Sequence, residues 1–351
     1  MLELLGEHYT AAVIGLVGGV MLGLAARIGR FCTMGAIEDA LYGGSDTRLR
    51  MWILAIGLSV LGAFGLMATG AFEPATSYYL SIRFMPIAAI LGGVTFGYGM
   101  ALAGNCGYGS IARLGGGDMR AFVIVLVMGV AAWFTLSGPL AWIRALAFDQ
   151  VAATGTPPGI AHWLGDRLGI GPAPIGLVIG ALITAGALAS RGFARDGKAI
   201  FWSAVVALGV LTGWAGTQWL ARTGFEGLPV VSHSFAAPVG ESVLWLMTGS
   251  ARAPSFAVGS VAGVALGAFI GSLWKGHFRW EACEDPRELR RQVTGAALMG
   301  VGAVIALGCT IGQGLSAFSV LALSAPLTFA AIFAGAALGL RQLIEGFQPA
   351  E

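Results

Sequence analysis

Nine long apolar stretches, with charge confined almost wholly to the segments between them, constrain this chain more than any other feature. They lie at about 10–28, 50–71, 85–104, 120–142, 172–190, 199–221, 254–274, 291–308 and 325–341. Each approaches the roughly 20 residues that an α-helix needs to cross a bilayer core. Only 11% of the 351 residues are charged and 56% are hydrophobic, against about 25% charged in an average soluble domain. So few charges cannot cover the surface of a soluble fold of this length. The apolar runs exclude disorder, and the 56 glycines have no period of three that would suggest collagen. The expected class is an all-α polytopic membrane protein, one transmembrane domain held in a lipid bilayer. A net charge of +2 and the absence of a basic tract give no sign of a nucleic-acid partner.

Four further apolar segments, 31–43, 107–116, 236–249 and 310–323, are too short to span. Their length fits re-entrant half-helices, which a membrane tolerates where protein buries them or they line a cavity. Counting alternate loops, 15 of the 20 Lys and Arg residues fall on one side and 5 on the other. The richer side should be cytoplasmic. Nine spans then place the N-terminus outside and the C-terminus inside. The first stretch follows MLELLGEHYT, which has no basic residue, so it reads as a retained helix and not a secretory signal.

The segment Gly97–Gly109 resembles Gly300–Gly312 at an offset of 203 residues. Cys106 follows the third span and Cys309 the eighth. An odd number of spans separates them, so the two copies face opposite sides. This pattern predicts an inverted-topology repeat, with halves at about 1–142 and 199–345 linked by helix 172–190. Transporters use that symmetry to build a site near the bilayer midplane from half-helices.

Three of the four cysteines share one local pattern: Cys32-Thr-Met-Gly35, Cys106-Gly-Tyr-Gly109 and Cys309-Thr-Ile-Gly312. Each has glycine nine residues earlier, at Gly23, Gly97 and Gly300, and each stands where a long apolar stretch gives way to a short one. A lone membrane cysteine reads as a small buried hydrophobe; the threefold repetition points to a shared role. No histidine or second cysteine accompanies any of the three, which argues against a metal site, and no cofactor motif appears. A neutral thiol is a weak donor suited to a polarizable sulfur. Three in series would bind a solute weakly enough to let it leave. The half-helix N-termini add partial positive charge for an anion. Thr33, Ser110, Thr310 and Gln313 are supporting polar candidates, equally explicable as helix caps, and Asn105 stands out because the chain breaks there, beside Cys106. Glu241 is the clearest intramembrane carboxylate, so no proton relay of the usual kind is evident. No nucleotide-binding motif couples the chain to ATP. Cys283 lies among the charges of Arg279-Trp-Glu-Ala-Cys-Glu-Asp-Pro-Arg and reads as incidental.

GRFCTMGAIEDALYGG (29–44), GNCGYGSIARLGGGDMR (104–120) and RWEACEDPRELRR followed by GCTIGQGLS (279–316) resemble the YeeE/YedE family of sulfur transport proteins, which includes bacterial thiosulfate importers. The resemblance implies a multi-pass permease of the bacterial inner membrane, not an enzyme. It implies that Cys32, Cys106 and Cys309, with Cys106 central, hand thiosulfate or a similar sulfur anion inward. It also implies a cytosolic TusA-like sulfurtransferase as partner. Two alternatives remain at this stage. One is a membrane sulfurtransferase with a cysteine persulfide relay, which would need an activated thiolate. The other is a transporter of a selenium species.

Overall fold

The computed structural model describes residues 6–148, 150–282 and 285–346. Nine long helices match the nine apolar stretches, and three labelled short helices stand between them. In chain order they are α1 (Glu7–Arg27), α2 (Thr33–Glu38), α3 (Thr47–Ala68), α4 (Pro86–Ala103), α5 (Gly107–Gly115), α6 (Met119–Leu136), α7 (Pro172–Leu188), α8 (Gly197–Thr223), α9 (Ala237–Thr248), α10 (Phe256–Trp274), α11 (Pro286–Ile305) and α12 (Ser324–Glu345). Length and composition qualify seven segments as membrane spans: α1, α3, Pro86–Gly115, α6, α8, α10 and α12. The count of nine crossings is therefore not reached on that criterion. Helix α7 is apolar but has only 17 residues, and α11 opens on the charged run Pro-Arg-Glu-Leu-Arg-Arg. The architecture is an all-α, multi-pass membrane fold.

All four short apolar segments are helical. Helix α2 continues as a π-helical turn, Asp39–Gly43, and a second π-helical turn, Gly312–Ala317, lies in the fourth segment. Such turns are rare, occur mostly as single turns, and are frequent at functional sites. Cys283 lies outside the described residues.

Small residues set the helix packing, as expected where lipid offers no hydrophobic drive for association. Helices α1 and α10 run parallel: a side chain on Gly15 would meet the Phe256 carbonyl, and one on Gly23 the Val264 carbonyl. Helices α4 and α12 run parallel through Gly93 against Ala331 and Gly97 against Ile332. In contrast, α4 and α11 run antiparallel, with Gly92 on Ala306 and Gly99 on Gly295. Helices α1 and α8 are also antiparallel, with Ile14 on Gly216 and Gly29 on Trp202.

The contacts come in matched pairs. The α1–α10 contact corresponds to α8–α3, α4–α12 to α11–α6, and α9–α6 to α2–α12. Helix α5 packs on α10 as the π-helical turn 312–317 packs on α3. The short elements are tied at opposite ends of the bundle. After α5, Met119 N–H donates to the Glu281 carbonyl at 3.0 Å, and after the turn 312–317, Leu323 N–H donates to Pro158 at 3.0 Å.

Candidate functional site

The three C-x-x-G motifs share a conformation as well as a sequence. Two residues before each cysteine the backbone turns left-handed, with φ of 54° at Arg30, 74° at Gly104 and 59° at Leu307. Only Gly104 adopts this without strain; a branched or long side chain there costs about 1–2 kcal/mol. The turn breaks the long helix, and a short helix begins at the thiol. Cys32 and Cys106 are extended N-cap residues whose sulfurs accept the N–H of Gly35 at 3.5 Å and Gly109 at 3.3 Å. Cys309 accepts instead from Phe235 N–H at 3.3 Å, and Ser234 Oγ lies 3.7 Å from its sulfur. Each sulfur thus accepts a backbone N–H, leaving its own S–H to donate.

The glycines of the motif have two packing duties. Those nine residues before the cysteine admit a neighbouring backbone: Gly23 the Val264 carbonyl, Gly97 the Ile332 carbonyl, and Gly300 the Met128 carbonyl of α6. Those three residues after it admit a polar side chain. A methyl on Gly35 would stand 2.3 Å from Arg48 Nη1, one on Gly109 2.2 Å from Asn105 Oδ1, and one on Gly312 2.8 Å from Ser234 Oγ and 3.0 Å from the Tyr79 hydroxyl. Real carbon atoms do not approach so closely, so glycine is required unless these groups move.

The thiols come together in the interior. Cys32 donates to Asn105 Oδ1 at 3.3 Å, and the same oxygen accepts Cys106 N–H at 3.1 Å. Cys106 is fully buried and within electrostatic reach of both Cys32 and Cys309, with Thr310 beside it. Helix α5 starts against Met128, midway along α6, and its C-terminal side reaches Arg27 and Arg279 at Gly116 and Gly117. Its N-terminus is therefore interior, and its other end lies at the arginine-rich face.

Two cavities flank the thiols. One, of about 690 Å³, opens at the basic face. Cys32, Asn105 and Gly109 line it, together with Arg27, Arg30, Arg48, Arg113 and Arg279 and with Glu38 and Glu281. Arg48 is paired with Asp39 at 3.2 Å through Nε. The second, of about 500 Å³, lies on the other side of Cys309, with Tyr79, Ser234 and Gly308 in its wall and Glu241 near Ser255. Cys106 and Cys309, at 0% and 1% exposure, are buried and line neither cavity.

Among the other expected residues, Ser110 and Thr33 bury hydroxyls with no partner among the described residues. Gln313 acts as a clasp for a helix end: its Nε2 donates to the carbonyls of Ala306 at 2.9 Å and Leu307 at 3.2 Å, and its Oε1 accepts from Ser324. No group of three or more His, Cys, Asp or Glu residues among the described residues could hold a metal ion. Sequence reasoning missed the loop 232–235, Tyr79, and Tyr108, whose hydroxyl donates to the Leu22 carbonyl at 2.6 Å. The one signal was the polar run Ser-His-Ser between apolar segments. It also treated Arg27, Arg30 and Arg113 as topology markers and not as a cavity wall.

The family model described as sulphur transport matches residues 28–338. A thiosulfate transporter TsuA of Spirochaeta thermophila is 28% identical over 322 residues, covering 88% of this chain and 92% of that protein. A thiosulfate transporter TsuA of Escherichia coli is 25% identical over 348 residues, covering 88% of this chain and 87% of its own length. Taken with the three thiols gathered between two cavities, these similarities show that the chain belongs to the sulphur transport family, the YeeE/YedE family its cysteine motifs resemble.

Proposed function

We propose that this protein carries a small sulfur oxyanion, thiosulfate, across the bacterial inner membrane, from the cavity beside Cys309 past Cys106 and Cys32 to the arginine-lined cavity. The observation that carries the reading is the state of the three sulfurs. Each already accepts a backbone N–H, which leaves the S–H of Cys106 and Cys309 to offer, while that of Cys32 rests on Asn105 Oδ1. A neutral S–H donates weakly to a terminal sulfur, which allows binding without trapping. A thiolate would repel a dianion at short range in a low-dielectric interior. The short-helix N-termini at Cys106 and Cys32 add partial positive charge. Five arginines against two glutamates in the exit cavity attract the anion at the basic face.

The basic face is cytoplasmic in this reading, with the N-terminus outside and the C-terminus inside. The matched contacts support two inverted halves, 1–142 and 199–345, linked by 172–190. Corresponding helices α4 and α11, and α1 and α8, are antiparallel where they meet, as a two-fold axis in the membrane plane requires. A TusA-like sulfurtransferase is the partner proposed at the arginine-lined mouth.

Transport, not group transfer, is the function in this reading, and the thiols stay uncharged by substrate sulfur. Intact-mass measurement after turnover with thiosulfate tests it. The expected result is an unchanged mass. A reductant-sensitive gain of one sulfur at Cys106, formed as fast as uptake, would replace the permease with a persulfide relay.

A further inference from the structure

The glycine at the end of each C-x-x-G motif marks a place where a polar group stands beside the thiol. At Cys309 the space over Gly312 is filled by the hydroxyls of Ser234 and Tyr79, at Cys106 that over Gly109 by the Asn105 amide, and at Cys32 that over Gly35 by the Arg48 guanidinium. The three glycines lie in different parts of the chain and admit chemically different groups, yet each admits one that can donate a hydrogen bond. Residues that only filled space would not be expected to share that property.

We infer that each thiol and its glycine-admitted neighbour form a two-part station, the thiol taking the soft end of the substrate and the polar group its oxygens. Thiosulfate has this division: one terminal sulfur and three oxygens on the central sulfur. The inference rests on the thiosulfate reading above and names the residues that select within it. Tyr79 and Ser234 are the specificity-determining residues of the first station, which faces the 500 Å³ cavity. Ser234 is held rigidly for that work. Ser232 Oγ donates to the Val210 carbonyl at 2.8 Å, His233 Nδ1 lies 2.6 Å from Ser260 Oγ, Ser316 Oγ donates to the His233 carbonyl at 2.7 Å, and Phe235 N–H is on Cys309. Asn105 is fixed in the same way by two hydrogen bonds to Oδ1, which leaves its Nδ2 to donate. The donors pass from neutral hydroxyls through a neutral amide to a cation. That gradient leads an anion toward the basic face.

The test is initial-rate uptake of radiolabelled thiosulfate by the full-length protein in proteoliposomes, with sulfite as competitor. Sulfite offers three oxygens and no terminal sulfur. Tyr79→Phe and Ser234→Ala should each raise the half-saturating thiosulfate concentration roughly tenfold, the loss of one hydrogen bond to a charged group, with a smaller change in maximal rate. Both should also weaken inhibition by sulfite. Cys309→Ala should impair thiosulfate uptake and leave sulfite inhibition intact. Ser234→Thr, which keeps the hydroxyl, should restore half-saturation, a result that a misfolded loop would not give. Wild-type half-saturation in both Tyr79→Phe and Ser234→Ala, alongside working wild-type uptake, overturns the station and leaves the transport reading standing. Absence of thiosulfate uptake by the wild type overturns both.

Discussion

Cys106 is fully buried, lines neither cavity, and stands within reach of the other two thiols. Cys106→Ala should abolish thiosulfate uptake while the protein still inserts and purifies as a single species. Cys106→Ser should fail as well, because a hydroxyl is a stronger and more hydrated donor, poorly matched to a soft sulfur. Uptake at the wild-type rate by both variants, at equal expression, would remove the thiols from the mechanism. Gly109→Ala tests the neighbouring packing. Its methyl would lie 2.2 Å from Asn105 Oδ1, the oxygen that holds both Cys32 and the Cys106 backbone. Overpacking of this kind costs about 1–3 kcal/mol. A lowered Tm in detergent together with lost uptake is expected, and an unchanged Tm would show that Asn105 moves freely. The cysteine and its glycine were legible in the sequence because they recur at fixed spacing. The group that fills the glycine's space was not, since it comes from far along the chain, as with Arg48 or Ser234.

At the scale of elements, hydrophobic length alone marks the helices, and the same reasoning located the short ones. A segment of 10–14 apolar residues between spans cannot cross lipid, so its backbone must be buried in protein. Helices α2, α5 and α9 fall inside the ranges expected on that ground. Charge decides where length does not: α11 begins in four charged residues, Arg287, Glu288, Arg290 and Arg291, so its apolar portion is short. Which helices touch follows from where glycine lies on each surface. Gly97 carries the α4–α12 contact, and a side chain there would reach 2.0 Å from the Ile332 carbonyl. Gly97→Val should therefore force the two helices apart and cost about 3 kcal/mol or more. Thermal unfolding in detergent should show a marked fall in Tm. A variant as stable as the wild type would mean that the helices separate without penalty.

The whole molecule is described by matched contacts and by cavities on two faces, and its orientation is open to direct measurement. Impermeant thiol reagents applied to sealed cells should label Thr154→Cys, in the exposed loop on the side of Leu323 and Pro158, from outside. Lys198→Cys, at the exposed start of α8, should react only after the membrane is opened. Labelling of both from one side would contradict the inverted arrangement. By itself the sequence determined the membrane class, the positions of the long apolar helices and of the short segments between them, and the recurrence of the three cysteine motifs. Each of these depends on residues close together in the chain: an apolar length, a charge boundary, a cysteine with its glycine three residues on. Tertiary structure alone decided what surrounds each thiol. The Cys32–Asn105 bond joins residues 73 positions apart and the Cys309–Phe235 bond residues 74 apart. No local pattern encodes such meetings, because they arise only when glycine faces let separate helices close on one another.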